Sequence, residues 1–116
     1  KEGGTFRCIV PDLEHAARLY ISELDKGSST GSVVFMESTL LGVKNRPRGI
    51  QGLISSFFGN SKHLWMWDFT SLSKELKNAG FSQIRACEFN DCKDEMFKHV
   101  ESAGRFEHAV AIECSK

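Results

Sequence analysis

Charge of one sign, long apolar runs and paired metal-ligand spacings are all missing from this chain, and each absence closes a class of function. Fifteen lysine and arginine residues are matched by fifteen aspartate and glutamate residues, for a formal net charge of +0, so no global field draws the chain to nucleic acid or to an anionic membrane. No apolar stretch approaches the roughly 20 residues that span a bilayer, and no charged-then-apolar amino terminus marks a secretory signal. The expectation is a cytoplasmic protein with neither membrane nor nucleic acid as partner. The four cysteines, Cys8, Cys87, Cys92 and Cys114, include no CxxC pair, and His15, His63, His99 and His108 bring no finger-like or ribbon-like spacing, which argues against a metal centre. With no extracellular signature, structural disulfides are not expected either. Internal repeats and low-complexity tracts are absent.

What is present is ordinary for a folded domain. The chain has 116 residues, 41% hydrophobic and 26% charged, enough for one small domain over 1–116 with one core. Thr5 to Val10 is a short β-prone run ending at Pro11, read as a first strand. Asp12 is placed to cap the helix that follows, where Leu13, Ala16, Ala17, Tyr20, Ile21 and Leu24 share one helical face. A Gly/Ser-rich connection over 25–32 leads to the apolar segment 33–41, favoured as a helix over a strand. A basic loop over 44–49 is followed by Ile50, Leu53, Ile54, Phe57 and Phe58 at helical spacing. Residues 25–67 therefore read as a helical lid or insertion.

Beyond it, Asp68 or Thr70 caps a helix carrying Leu72, Leu76 and Ala79, and Gly80-Phe81 closes it as a Schellman motif, with Phe81 folding back onto Leu76. Gln83–Phe89 alternates and reads as a second strand. The charged stretch 91–102 has only Met96, Phe97 and Val100 as apolar grip, so a peripheral helix or ordered loop is expected. His108–Cys114 reads as the third strand.

Taken in order, Lys1-Glu2-Gly3-Gly4-Thr5-Phe6-Arg7, Val10-Pro11-Asp12-Leu13-Glu14, His63-Leu64-Trp65-Met66-Trp67-Asp68, Leu72 through Ala79-Gly80-Phe81, and Arg105-Phe106-Glu107 resemble the carboxy-terminal half of class I S-adenosylmethionine-dependent methyltransferases. The resemblance covers nearly the whole chain. It implies an α/β fold, a partial Rossmann-like methyltransferase sheet whose three strands match 5-7-6 of the order 3-2-1-4-5-7-6, the last strand antiparallel, with flanking helices and a helical lid insertion. It also implies S-adenosylmethionine as cofactor. The family seats that cofactor on a glycine-rich loop after its first strand, and these 116 residues hold no GxGxG element, so no cofactor-binding residue carries over. With no initiator methionine, the expectation is a truncated half of a transferase that is not catalytically competent alone.

The densest group of functional side chains is His63-Leu64-Trp65-Met66-Trp67-Asp68. His63 is the one candidate for a general base, Trp65 and Trp67 could wall a substrate pocket, and Asp68 could orient His63. The competing roles are an N-cap for Asp68 and lid packing for the indoles. Asp12 lies where open α/β sheets gather ligand contacts, with capping as its competing role. Lys44, Arg46 and Arg48 form a small basic patch without interleaved aromatics, and Cys92 has only Lys93 beside it to activate a thiol. A three-stranded sheet leaves the strand at Thr5–Val10 unpaired on one side. The partner expected there is a second copy of this chain or the missing amino-terminal half. The alternative function is a small α/β interaction module that associates through the same edge.

Overall fold

The computed structural model describes residues 3–39, 41 and 65–116. Among them are three strands, β1 (Thr5–Pro11), β2 (Ser82–Ala86) and β3 (Ala109–Ser115), and three α-helices, α1 (Leu13–Asp25), α2 (Gly31–Ser38) and α3 (Phe69–Asn78). The chain divides into two compact units, Lys1–His15 with Trp67–Lys116, and Ala16–Met66.

The first unit is built on a sheet of order β1-β3-β2 in which β3 runs antiparallel to both neighbours. Hence β1 and β2 point the same way. Lys116 N–H donates to the Gly4 carbonyl and Asp12 N–H to that of His108. These bonds turn the even-numbered positions of β1 toward β3, so the missing N–H of Pro11 falls on the outer edge, where it breaks no ladder bond.

Strand alternation gives the sheet two unlike faces. Val110, Ile112 and Cys114 form the core with Leu76 of α3, and Cys8, Val10, Leu72, Phe81 and Ile84 pack around them. Ile112, at 0% exposure, sits at the centre. α3 is fixed at both ends by local chemistry. Asp68 accepts from the Ser71 N–H while the Ser71 hydroxyl accepts from the Asp68 N–H, a reciprocal capping box. At the other end Gly80 takes φ 83°, and Phe81 N–H reaches the Leu76 carbonyl and Gly80 N–H that of Lys77, the two bonds of a Schellman motif.

Three expectations need correction. The second strand runs Ser82–Ala86 rather than Gln83–Phe89: Cys87 N–H still reaches the Ala111 carbonyl, but beyond it the chain turns, with Asp91 N–H bonded back to the Glu88 carbonyl and Asn90 at φ 64°. On α1 the buried stripe is narrower than the apolar face: Ala16 is buried, but Ile21 and Leu24 are 53% and 48% exposed. The stripe Ala17-Ile21-Leu24 lies about 100° round the helix from Leu13-Ala16-Tyr20, and only the latter turns inward. Of the three apolar residues expected to grip along 91–102, Phe97 is half-buried while Met96 and Val100 are exposed, since the segment takes the ordered, non-α form, a 3-10 turn (Glu95–His99) with no continuous helical face.

In the second unit α2 begins at Gly31, two residues ahead of the expected segment. A Cβ there would come within 3.2 Å of the Glu23 Cβ, so glycine permits the close approach of α2 to α1. Tyr20 and Phe35 pack across that contact with ring centroids 5.7 Å apart. The basic loop, the spacing at 50–58 and most of the expected lid lie outside the described residues. Among the described residues no helix is long and apolar enough to cross a membrane.

Candidate functional site

The carboxyl end of β1 is where three chain segments meet. Asp12 bridges in parallel to Trp67, Leu13 N–H donates to the Trp67 carbonyl at 3.0 Å, and Asp12 N–H donates to the His108 carbonyl at 3.1 Å. Two of the sequence candidates, Asp12 and Trp67, are therefore adjacent, and Asp68 follows directly in the chain. Trp65, 69% exposed, belongs to the other compact unit, and His63 lies outside the described residues.

Both aspartates serve as caps. Asp12 Oδ1 accepts from the Glu14 N–H at 2.9 Å at the start of α1. Asp68 Oδ1 accepts from the Ser71 N–H at 2.7 Å and the Ser71 hydroxyl at 2.9 Å, and these bonds hold its carboxyl below the usual aspartate range. A carboxylate so engaged is a poor proton acceptor.

Sequence reading missed the histidines at this corner. The rings of His15, in the first turn of α1, and His108, just before β3, stack at 4.1 Å and 15°. His108 adopts φ 55°, a left-handed conformation that costs a non-glycine residue energy unless its surroundings hold it. Each neutral imidazole offers one donor and one acceptor, so the corner can bind a polar group or relay a proton. Their separation of 93 positions leaves no spacing signal. Among the described residues no group of three or more His, Cys, Asp or Glu is placed to hold a metal ion.

Beneath the opposite face of the sheet lies a charge lattice, buried at Arg7, Glu101 and Glu113 and partly exposed at Arg85 and Asp91, that the sequence did not announce either. Arg7, Glu113 and Arg85 are in register across β1, β3 and β2. Arg7 Nη1 is 3.2 Å from Glu113 Oε2, and Arg85 Nη2 is 2.8 Å from Glu113 Oε1. The segment after β2 closes over them: Glu101 pairs with the Arg7 guanidinium, Asp91 pairs with Arg85 at 2.7 Å, Arg7 also donates to the Glu88 and Asp91 carbonyls, and Lys93 N–H donates to Glu113. Burial by itself would raise the Glu113 carboxyl, but the Arg85 and Lys93 hydrogen bonds and the charges of Arg85 and Arg7 outweigh it and hold the group below its usual range. Burial is the main cause that pushes the Cys87 thiol up to about 11, against the opposing charge of Arg7.

At the start of α1 the Leu13 and Glu14 N–H groups are already bonded, to the Trp67 carbonyl and to Asp12 Oδ1. Comparison with known protein families, with curated proteins and with solved structures finds no match to this chain.

Proposed function

We propose that these residues form the carboxy-terminal portion of a class I methyltransferase-like domain, completed by a separate glycine-rich half and not catalytically competent alone. The observation that carries this reading is the strand order β1-β3-β2 with an antiparallel centre. It is the arrangement that the resemblance implies for the last strands of that sheet, and the helix-to-β2 turn at Ala79-Gly80-Phe81 supports it. On this reading the corner of Asp12, His15, Trp67 and His108 lies at the substrate side, where open sheets collect ligands. Methyl transfer to a nucleophilic acceptor depends chiefly on positioning, which suits a corner whose carboxylates are occupied as caps. Calorimetric titration of the chain with S-adenosylmethionine is expected to give no saturable heat, and stoichiometric binding would overturn the need for a second half. The coding sequence ahead of Lys1 is expected to specify a strand followed by a GxGxG loop; a start codon immediately before Lys1 counts against the reading.

The alternative is an interaction module. Thr5, Arg7 and Ile9 turn their backbone groups away from β3, and among the described residues only Trp67, at the far end, pairs on that side. Such an edge accepts an added strand. The two readings differ in the strand they expect there, a parallel one from the missing half or one from another protein or a second copy.

A further inference from the structure

On the charged face of the sheet, the floor falls away beyond Glu113 because the next two β3 positions on that face are Ala111 and Ala109. An open pocket of about 390 Å3 results, within the size range of small-molecule sites. Phe106 forms one wall. Its ring is held edge-on to Phe89 at 5.8 Å and by the Arg7 guanidinium 5.7 Å from its centroid. Cys87 forms another, 8% exposed, its thiol without a hydrogen-bond partner among the described residues. Glu88 and Glu107 line the same pocket. Asp91, Glu101 and Glu113 on this face are each paired with an arginine, but the exposed carboxylates of Glu88 and Glu107 make no ion pair or hydrogen bond among the described residues.

We propose that this pocket binds a small organic amine, its apolar body against Phe106 and the alanine floor and its ammonium group between Glu88 and Glu107. The aromatic and methyl surfaces give an apolar body somewhere to leave water. With Glu88 and Glu107 both in its lining, the pocket disfavours an anion and favours a cation. The volume suits one ring with a short chain. The site lies on the face of the sheet away from α3 and rests neither on the methyltransferase reading nor on the β1 edge.

The test is a backbone amide NMR titration of the intact chain with phenethylamine, alongside phenylacetate and 2-phenylethanol, which share its ring but carry the opposite charge or none. Saturable shifts confined to the amides of Cys87, Glu88, Phe106, Glu107 and Ala111, with weaker binding of the alcohol and none of the acid, are expected. The double variant Glu88→Gln/Glu107→Gln changes two exposed side chains and should keep the spectrum of the fold while raising the amine's Kd about tenfold or more. Ala103→Leu, at an exposed position in the pocket wall, should block the amine by filling space. Equal binding of amine and acid, shifts elsewhere on the chain, or an affinity unmoved by the double variant would each overturn the proposal.

Discussion

Arg7 has a side chain only 2% exposed, between Glu101 at 7% and Glu113 at 2%. Replacing it by methionine keeps the stem and removes the charge, stranding Glu101 without its partner and leaving Glu113 with Arg85 and the Lys93 N–H. We expect Arg7→Met to cost about 3–5 kcal/mol in urea unfolding at neutral pH; an unchanged midpoint would mean the lattice is solvated. Adding Glu101→Leu should recover part of the loss, because the two changes share one interaction. The acid limb has a defined sign. The folded-state Glu113 carboxyl lies below its unfolded value, so its contribution is fully present above the ordinary glutamate range near ~4.3 and is lost as pH falls through the lower folded value. Glu113→Gln should flatten the fall in stability below about pH 4.3, read from unfolding midpoints across that range. Cys87 sets a second expectation: burial and a thiol pushed up to about 11 should make it slow to alkylate at pH 8 in the folded chain and fast in urea, followed by mass spectrometry.

At the scale of elements, α3 is held by a cap at one end and a turn at the other. Asp68→Ala removes the acceptor of the Ser71 N–H and should lower the unfolding midpoint, while Asp68→Asn should retain most of the stability because asparagine caps nearly as well. If Asp68 served catalysis alone, neither change would move stability. Gly80 sits at φ 83° with open space where a Cβ would point. Gly80→Ala should therefore cost about 1 kcal/mol through backbone conformation alone, and Gly80→Asn less, measured in the same unfolding assay. Both tests bear on the turn that delivers the chain into β2, and so on the register of Arg85 against Glu113.

For the whole molecule the open question is what lies beside β1. An edge whose alternate backbone groups find no strand partner among the described residues favours association, so sedimentation velocity should show the mean mass rising with concentration through the micromolar range. A constant monomer mass at high micromolar concentration would count against self-pairing and leave the edge to a different chain. Substituting Ile9→Pro removes an outward N–H without touching a β3 ladder bond, and should suppress the association while preserving the sheet.

Elements whose causes are local were legible from the residues alone. β1 up to Pro11, α1 behind its Asp12 cap, and α3 between Asp68 and Gly80 follow from side chains within one turn of the backbone they satisfy, and the structure places all of them as read. Of the candidate site, Asp12, Trp67 and Asp68 were visible because functional side chains cluster there in the chain, and their capping roles were readable too. The remainder depends on contacts between distant segments. Glu113 alternates along β3 like a residue bound for solvent, and it is buried only because a segment from the far side of β2 covers it and two arginines, 28 and 106 positions away, reach it. The stack of His15 on His108 and the pocket over Ala109 and Ala111 depend likewise on strand register. Register is a property of pairing between distant segments, and no spacing within one segment encodes it.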